Sequence, residues 1–415
     1  MIQMKTAAFL FLTLAASFAI SPDDRLGFAT HFEQNAGWNP TTVPPLIASS
    51  GAGWIRDDLY AGHWETSPGI YTIPAFDKTW MQAAHGQGLK VVGILGPNGN
   101  YPSNPYDPTA MSNLAVWIAK SGLVDVLEVL NEPNNIAPFN RGKTGLQAYV
   151  TLLNAVNSSV HAAIPSVAVI GTDFQGANEL SVLTMGIQCD GVVYHPYPPT
   201  AIIPEQVYEP PFSDFQAWVK AVQAKTSLPL WETEWGLGTA KSIAENDQAI
   251  FDARRLLMAF SLGVQHTFIY DAKDASDDTT SYYDMSGVMR ASLEPKQAFF
   301  TIQRLLGALG GFSPVSSGVI LISSNGFTSS DFKGVLFASG QTTIAAVWIG
   351  NHYPSVPLLG TVTISFHVTG PGASSRFLDP VSGAIYPVAS HSDSRRVLTV
   401  NNMAISGVPQ LIIVQ

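Results

Sequence analysis

Residues 124–135, VDVLEVLNEPNN, form an apolar, β-branched run that stops abruptly at Asn131, Glu132 and Pro133. A run this apolar cannot turn one side to water, which predicts a strand of a parallel sheet covered on both faces. Proline has no N–H to give a sheet ladder, so Pro133 ends the strand and leaves the Glu132 carboxylate at its C-terminal tip. A plain turn has no need of an acid at that point, whereas a catalytic strand end does.

The same pattern recurs on either side. Strand-like runs are LGFATHF at 26–32, GWIRDD at 53–58, LKVVGILG at 89–96, VAVIGTD at 167–173, DGVVYH at 190–195, LPLWETE at 228–234 and VQHTFIYD at 264–271. Amphipathic stretches separate them, among them AFDKTWMQAAHGQG, LQAYVTLLNAVNSSVHAA, FQAWVKAVQAKT and QAIFDARRLLMAFSLG, and KQAFFTIQRLLGALGG follows the last. Eight strand–helix units in about 280 residues predict an α/β fold, a closed (β/α)₈ TIM barrel, in preference to an open doubly wound sheet. Past Gly310–Gly311 the texture changes to short alternating runs, GVILIS, GVLFAS, TTIAAVWIG, TVTISFHV and QLIIVQ, broken by Gly, Pro, Ser and Asn. These predict a small C-terminal antiparallel β-sandwich docked on the barrel.

The N-terminus carries Lys5, an apolar stretch over Ala7–Ala16, and Ser17 and Ala19 flanking Phe18. That is the layout of a secretory signal peptide with cleavage expected after Ala19, which implies a secreted or periplasmic protein without a membrane anchor. The expected division is therefore signal peptide 1–19, barrel 20–311 and sandwich 312–415. A single cysteine, Cys189, rules out an intrachain disulfide and reads as a small buried hydrophobe. Hydrophobic residues make up 46% of the 415 and charged ones 13%, with a net charge of −10 and no basic run. This describes a globular protein and argues against nucleic acid or anionic membrane as a partner. Nothing in the sequence calls for an obligate protein partner.

In such barrels chemistry gathers at the C-terminal strand ends. Here the second strand ends in Arg56, Asp57 and Asp58, the fourth in Asn131 and Glu132, and the sixth in His195 with Tyr197 two residues on. The seventh carries Glu232 and Glu234, and the eighth ends in Tyr270 and Asp271. Carboxylates on the fourth and seventh strands face each other across a barrel mouth. Glycosidic bond cleavage needs such a pair, one acid protonating the leaving oxygen and the other attacking the anomeric carbon or activating water. Asn131 suits the sugar 2-hydroxyl, and Tyr197 or Arg56 suits a group that holds the nucleophile ionised. There is no HxH after the first strand, no close His–carboxylate ligand spacing, no phosphate loop and no GxSxG elbow, so no metal or cofactor is expected.

Taken together, NEP on the fourth strand, HPY on the sixth and TEWG on the seventh resemble the glycoside hydrolases of clan A. Residues 54–95 resemble that clan's second-to-third-strand region, with an Arg, a Trp-Glu, a PG-Y turn, an Asp-headed helix and GLKVV. The resemblance covers most of residues 26–300 and, with the trailing sandwich, is nearest family 39 and next family 5. It implies a retaining (β/α)₈ glycosidase acting on a poly- or oligosaccharide, with Glu132 as acid/base and Glu234 as nucleophile. It also implies that Arg56, Asn131, His195 and Tyr197 line the cleaved-sugar subsite, with Trp235 and Tyr270 as stacking residues. Strand parity puts Glu232 and Glu234 on one face, so Glu232 stays open as the nucleophile. A transglycosylase and a catalytically silent carbohydrate-binding barrel also stay open, as do the glycan, its linkage and endo or exo action.

Overall fold

The computed structural model describes residues 22–34, 37–96, 104–199, 203–240, 243–354, 356, 359–370, 374–388, 390–392 and 395–415. The expected signal peptide lies outside these residues. Each of the eight apolar runs contributes a barrel strand: β1 Asp23–Ala29, β2 Ala52–Tyr60, β3 Lys90–Gly96, β4 Val126–Val129, β5 Ala168–Thr172, β6 Gly191–Tyr194, β7 Leu230–Trp235 and β8 His266–Ile269. They pair in sequence order, all parallel, and β1 closes on β8 through Leu26, Gly27 and Phe28 against Thr267, Phe268 and Ile269.

A helix follows every strand: α1 Val43–Ser49, α2 Ala75–Gly86, α3 Pro108–Lys120, α4 Gly142–Ala163, α5 Ala177–Val182, α6 Phe215–Gln223, α7 Glu245–Ser261 and α8 Gln297–Leu309. Local chemistry sets several starts. Asp107 accepts from the N–H groups of Thr109 and Ala110 ahead of Pro108, and Asp214 accepts from that of Ala217. Among the described residues, no helix is long and apolar enough to cross a membrane.

The barrel interior is layered. Trp54, Val92, Val126, Ile170, Val193, Trp231 and Phe268 form a dry floor from seven strands. Two residues further along, the inward positions include Arg56, Glu128, His195, Thr233 and Tyr270, with apolar Ile94 on β3. The polar layer therefore rests on an apolar plug, and the cavity opens above it.

The sandwich has a six-stranded and a four-stranded antiparallel sheet. Leu336, Val347, Ile364, Phe366, Leu398, Val400 and Ile412 lie among the residues of the core between them. Helix α7 is the wedge between sandwich and barrel, buried from Asp247 to Phe260. Its two arginines are both fully buried and each meets a carboxylate. Arg254 donates Nε and Nη2 to Glu205 at 2.9 and 2.7 Å, and Glu205 also accepts from Trp348 Nε1 and the Asn351 N–H of the sandwich. Arg255 donates Nε to Glu232 at 3.1 Å.

Removing one member of such a buried pair leaves the other charge uncompensated, a cost of about 3–5 kcal/mol. Glu205→Ala is expected to lose stability on that scale in chemical denaturation of the full chain. Glu205→Gln, which keeps an acceptor for Trp348 and Arg254, is expected to lose less.

Candidate active site

The chain leaves β4 in an unusual conformation. Leu130 (φ 65°) and Glu132 (φ 46°) both occupy the left-handed region, and Pro133 opens a short 3₁₀ turn over Pro133–Asn135. Non-glycine residues held there cost on the order of 1–3 kcal/mol each, so neighbouring groups must over-determine the geometry. Asp173, just past β5 and itself at φ 52°, does so by accepting the Glu132 N–H on Oδ2 at 2.8 Å. Asn135 Nδ2 donates to Glu132 Oε2 at 2.7 Å from the 3₁₀ turn. The proline thus belongs to a turn that bends the backbone and aims the acid inward.

Arg56 spans the polar layer. Its Nε and Nη2 grip Glu128 at 2.7 and 2.8 Å, Nη2 also donates to Asn131 Oδ1 at 2.8 Å, and Nη1 donates to Glu234 Oε1 at 2.7 Å. Arginine has no acceptor, so the Asn131 amide must turn its oxygen to Arg56, which leaves Nδ2 as its donor. Tyr197 Oη donates to the other Glu234 oxygen at 3.1 Å. Burial alone would raise the Glu234 carboxyl, but His195, Arg56 and the Tyr197 hydrogen bond hold it below the ordinary glutamate value. Glu234 is an ionised, two-point-anchored carboxylate.

Glu132 stands opposite. One oxygen of Glu132, one of Glu234 and a ring nitrogen of His195 all lie within 4.8 Å of one another. These three are the described side chains that could jointly hold a metal ion. Both oxygens of Glu234 already accept hydrogen bonds, however, and a cation there would compete with the Arg56 guanidinium.

Six of the residues expected at the site line one cavity of about 810 Å³: Arg56, Asn131, Glu132, Tyr197, Glu234 and Tyr270. Two expected there do not. Trp235 is fully buried and donates Nε1 to Thr267 at 2.5 Å, with its ring toward Phe251, so it has no face for a sugar. His195 lies beneath the cavity wall, with Nε2 2.9 Å from Thr233 Oγ1 and Nδ1 3.3 Å from Glu132 Oε1 and 3.4 Å from Asp173 Oδ2. Its ring contacts Glu132, Asp173 and Thr233 and is not among the cavity-lining residues.

The shared face expected for Glu232 and Glu234 is also corrected. A β-bulge between Glu232 and Trp235 in the pairing with β8 breaks the alternation of β7. Trp231 and Thr233 point inward, whereas Glu232 points outward to Arg255 and to Thr267 Oγ1 at 2.8 Å. Glu234 then falls at the mouth, and Glu232 is the counter-ion of α7.

Sequence reasoning missed Asp173, although VAVIGTD ends in it as plainly as VDVLEVLNE ends in its acid. Glu128, Glu132, Asp173 and Glu234 surround two cationic groups, Arg56 and His195. Burial pushes Asp173 well above the ordinary aspartate value, opposed by His195 and reinforced by the neighbouring carboxylates. Burial would lower His195, but Asp173, Glu234 and the Glu132 hydrogen bond raise it to about 9.

No protein-family model and no curated protein matches the sequence. Solved structures do match. A family 39 glycoside hydrolase from the gut symbiont Bacteroides cellulosilyticus WH2 superposes with a TM-score of 0.72 at 20% identity, over 96% of this chain and 82% of that one. An endoxylanase of glycoside hydrolase family 30 from Clostridium papyrosolvens C71 gives 0.61 at 10% identity, over 96% and 98%. A family 5 glycoside hydrolase from Bacteroides vulgatus ATCC 8482 gives 0.62 at 11%, over 95% and 89%. At these identities the likeness is one of fold. The chain has the barrel-plus-sandwich architecture of these glycoside hydrolase structures along nearly its whole described length.

A folded-state His195 value raised from 6.5 to about 9 has a definite thermodynamic sign. The stability it contributes is fully present below pH 6.5 and is lost as pH rises through about 9. The difference in urea-unfolding free energy between wild type and His195→Gln is therefore expected to shrink by on the order of 3 kcal/mol between pH 6 and pH 10. A gap that stays constant over that range would show that folding does not shift the imidazole's titration.

Proposed function

We propose that the protein is a secreted retaining β-glycoside hydrolase that cleaves poly- or oligosaccharide by double displacement at Glu132 and Glu234. The observation that carries this reading is the facing pair itself, with oxygens within 4.8 Å across the cavity. Retaining enzymes hold their carboxyl groups about 5–5.5 Å apart, whereas inverting ones leave roughly 6.5–9.5 Å for a water. The asymmetry of the two acids supports the same division of labour. Glu234 is anchored at both oxygens and kept ionised, as a nucleophile must be, while Glu132 has a 30% exposed side chain facing the space where a leaving group would depart.

In the first step a Glu234 oxygen attacks the anomeric carbon while Glu132 gives its proton to the departing glycosidic oxygen, leaving a glycosyl ester on Glu234. In the second step Glu132 takes a proton from water, the hydroxide oxygen bonds to the anomeric carbon, and the Glu234 ester bond breaks. Inversion at each step returns the β-anomer. Asn131 Nδ2 is placed to hold the 2-hydroxyl, where hydrogen bonds strengthen in the transition state. His195 and Asp173 hold Glu132 from behind.

The test is hydrolysis of a panel of β-linked polysaccharides and aryl β-glycosides, with the first-formed anomer read by NMR. The β-anomer is expected from wild type, and Glu234→Gln is expected to abolish turnover on every substrate. Glu132→Gln is expected to lose about 10²–10⁴-fold on substrates with poor leaving groups and far less on activated aryl glycosides, which need no acid. A first-formed α-anomer would remove Glu234 from the role of nucleophile. Longer products from an oligosaccharide would mark a transglycosylase, and binding without turnover a silent carbohydrate-binding barrel.

A further inference from the structure

The inward face of β2 runs Trp54, Arg56, Asp58. Trp54 is in the dry floor and Arg56 is consumed by Glu128, Glu234 and Asn131, but Asp58, one step higher, lines the cavity itself. Neither the polar layer nor the two-acid mechanism uses it. Among the described residues, its side chain has one hydrogen bond, from Gln34 Nε2 to Oδ2 at 3.3 Å. A carboxylate can accept about four, so most of its capacity points to unfilled space. Burial raises the Asp58 carboxyl, and the nearby Arg56 opposes the rise.

The wall around Asp58 is built, not incidental. Its neighbour Asp57 faces the other way and accepts from Thr30 Oγ1 at 2.6 Å and from the N–H groups of Phe32 at 2.7 Å and Glu33 at 3.2 Å. Those bonds pin the loop after β1, which brings His31 and Gln34 to the cavity beside Asp58. His31 is fixed in turn by Asp271, 3.3 Å from its Nε2.

This inference rests on the glycosidase reading. With the anomeric carbon at Glu234 on β7 and the 2-hydroxyl at Asn131 after β4, the ring's next positions, C3 and C4, turn toward β2 and β1. We propose that Asp58 is the residue that selects the sugar, accepting hydrogen bonds from the 3- and 4-hydroxyl groups of a neutral pyranose. The cavity then takes neutral β-glycosides and rejects uronic acid and sulfated ones. Its cationic lining among the described residues consists of Arg56 and His31, and both are already engaged with carboxylates. A substrate carboxylate or sulfate would meet Asp58 with no free cation to balance it. An ammonium group is not called for either, because Arg56 already stands beside Asp58.

The experiment compares wild type and Asp58→Asn on an aryl β-glycoside of a neutral hexose, its 3-deoxy and 4-deoxy analogues, and the corresponding uronide and amino-sugar glycosides. Loss of a hydrogen bond to a charged group is expected to lower wild-type kcat/KM by about 10- to 100-fold on each deoxy analogue. Asp58→Asn is expected to lose a similar factor on the parent but little more on the deoxy analogues, because the partner is already gone. A residue that merely supports Arg56 would lower parent and analogue by the same factor, and that result would overturn the proposal. So would faster cleavage of the uronide or the amino-sugar glycoside than of the neutral one. The wild-type series decides by itself if the variant fails to fold: equal rates on parent and deoxy analogues overturn Asp58 while leaving the glycosidase reading intact. Cleavage of no glycoside at all would overturn both.

Discussion

The guanidinium of Arg56 is the constraint around which the polar layer is arranged. A cation buried on top of an apolar plug is tolerable only if its donors are met by acceptors of opposite charge. Glu128 meets it from β4 and Glu234 from β7, with Asn131 completing the set, so one side chain ties three strands together at the level where the cavity begins. The consequences are chemical as well as structural. The same contact keeps Glu234 ionised, fixes which way the Asn131 amide points, and determines that Glu128, although acidic and buried beside the pair, has no oxygen to offer a substrate. An apolar replacement for Arg56 could fill the space but would leave Glu128 and Glu234 without the guanidinium that pairs them.

The opposite acid is held by a different device. Glu132 sits on a backbone that L-residues avoid, and Asp173 stabilises that backbone by taking its N–H. His195 then bridges Asp173, Glu132 and Thr233 from below. The two carboxylates are thus presented in contrasting ways. One has both oxygens occupied by Arg56 and Tyr197; the other is positioned through its main chain by Asp173 and through its side chain by Asn135 and His195. An acid that must give up and recover a proton gains from the second arrangement, and a nucleophile gains from the first.

The barrel was legible because each strand is buried on both faces and so reads as an unbroken apolar run, with its polar tip marking the C-terminal end. Glu132, Arg56 and Asn131 stand out at those tips, whereas Glu234, Tyr197 and Tyr270 are singled out by the tips together with the clan A resemblance, and all six line the cavity. What the sequence hid has specific causes. Trp235 follows a catalytic-looking acid and resembles a sugar platform, but one residue of alternation turns it outward to Thr267. His195 ends its strand like the others, yet its ring is taken up by Thr233, Asp173 and Glu132 and does not reach the cavity. Asp173 ends β5 with no neighbouring motif to draw attention to it. In the sandwich, the ten-residue strand Val397–Ser406 is not among the runs read from the sequence; Asn402 takes φ 50° within it, and the partner strand shifts register opposite, between Val362 and Ile364.

The WETE segment shows why spacing could not separate its two glutamates. On a regular strand, Glu232 and Glu234 would share a face, and two acids side by side at the mouth would compete for Arg56. The bulge in β7 sends them to opposite sides of the sheet. Glu232 neutralises Arg255 on α7, and Arg255 also donates to the carbonyls of Pro196 and Pro204 in the loop after β6. Pro196 is the residue between His195 and Tyr197. The outward glutamate therefore holds the segment that delivers Tyr197 to the inward one, and it does so through the helix that the sandwich covers. Docking of the C-terminal sheets, burial of α7 and the second hydrogen bond to Glu234 form one chain of contacts, which gives the sandwich a physical role in the site although none of its described residues lines the cavity.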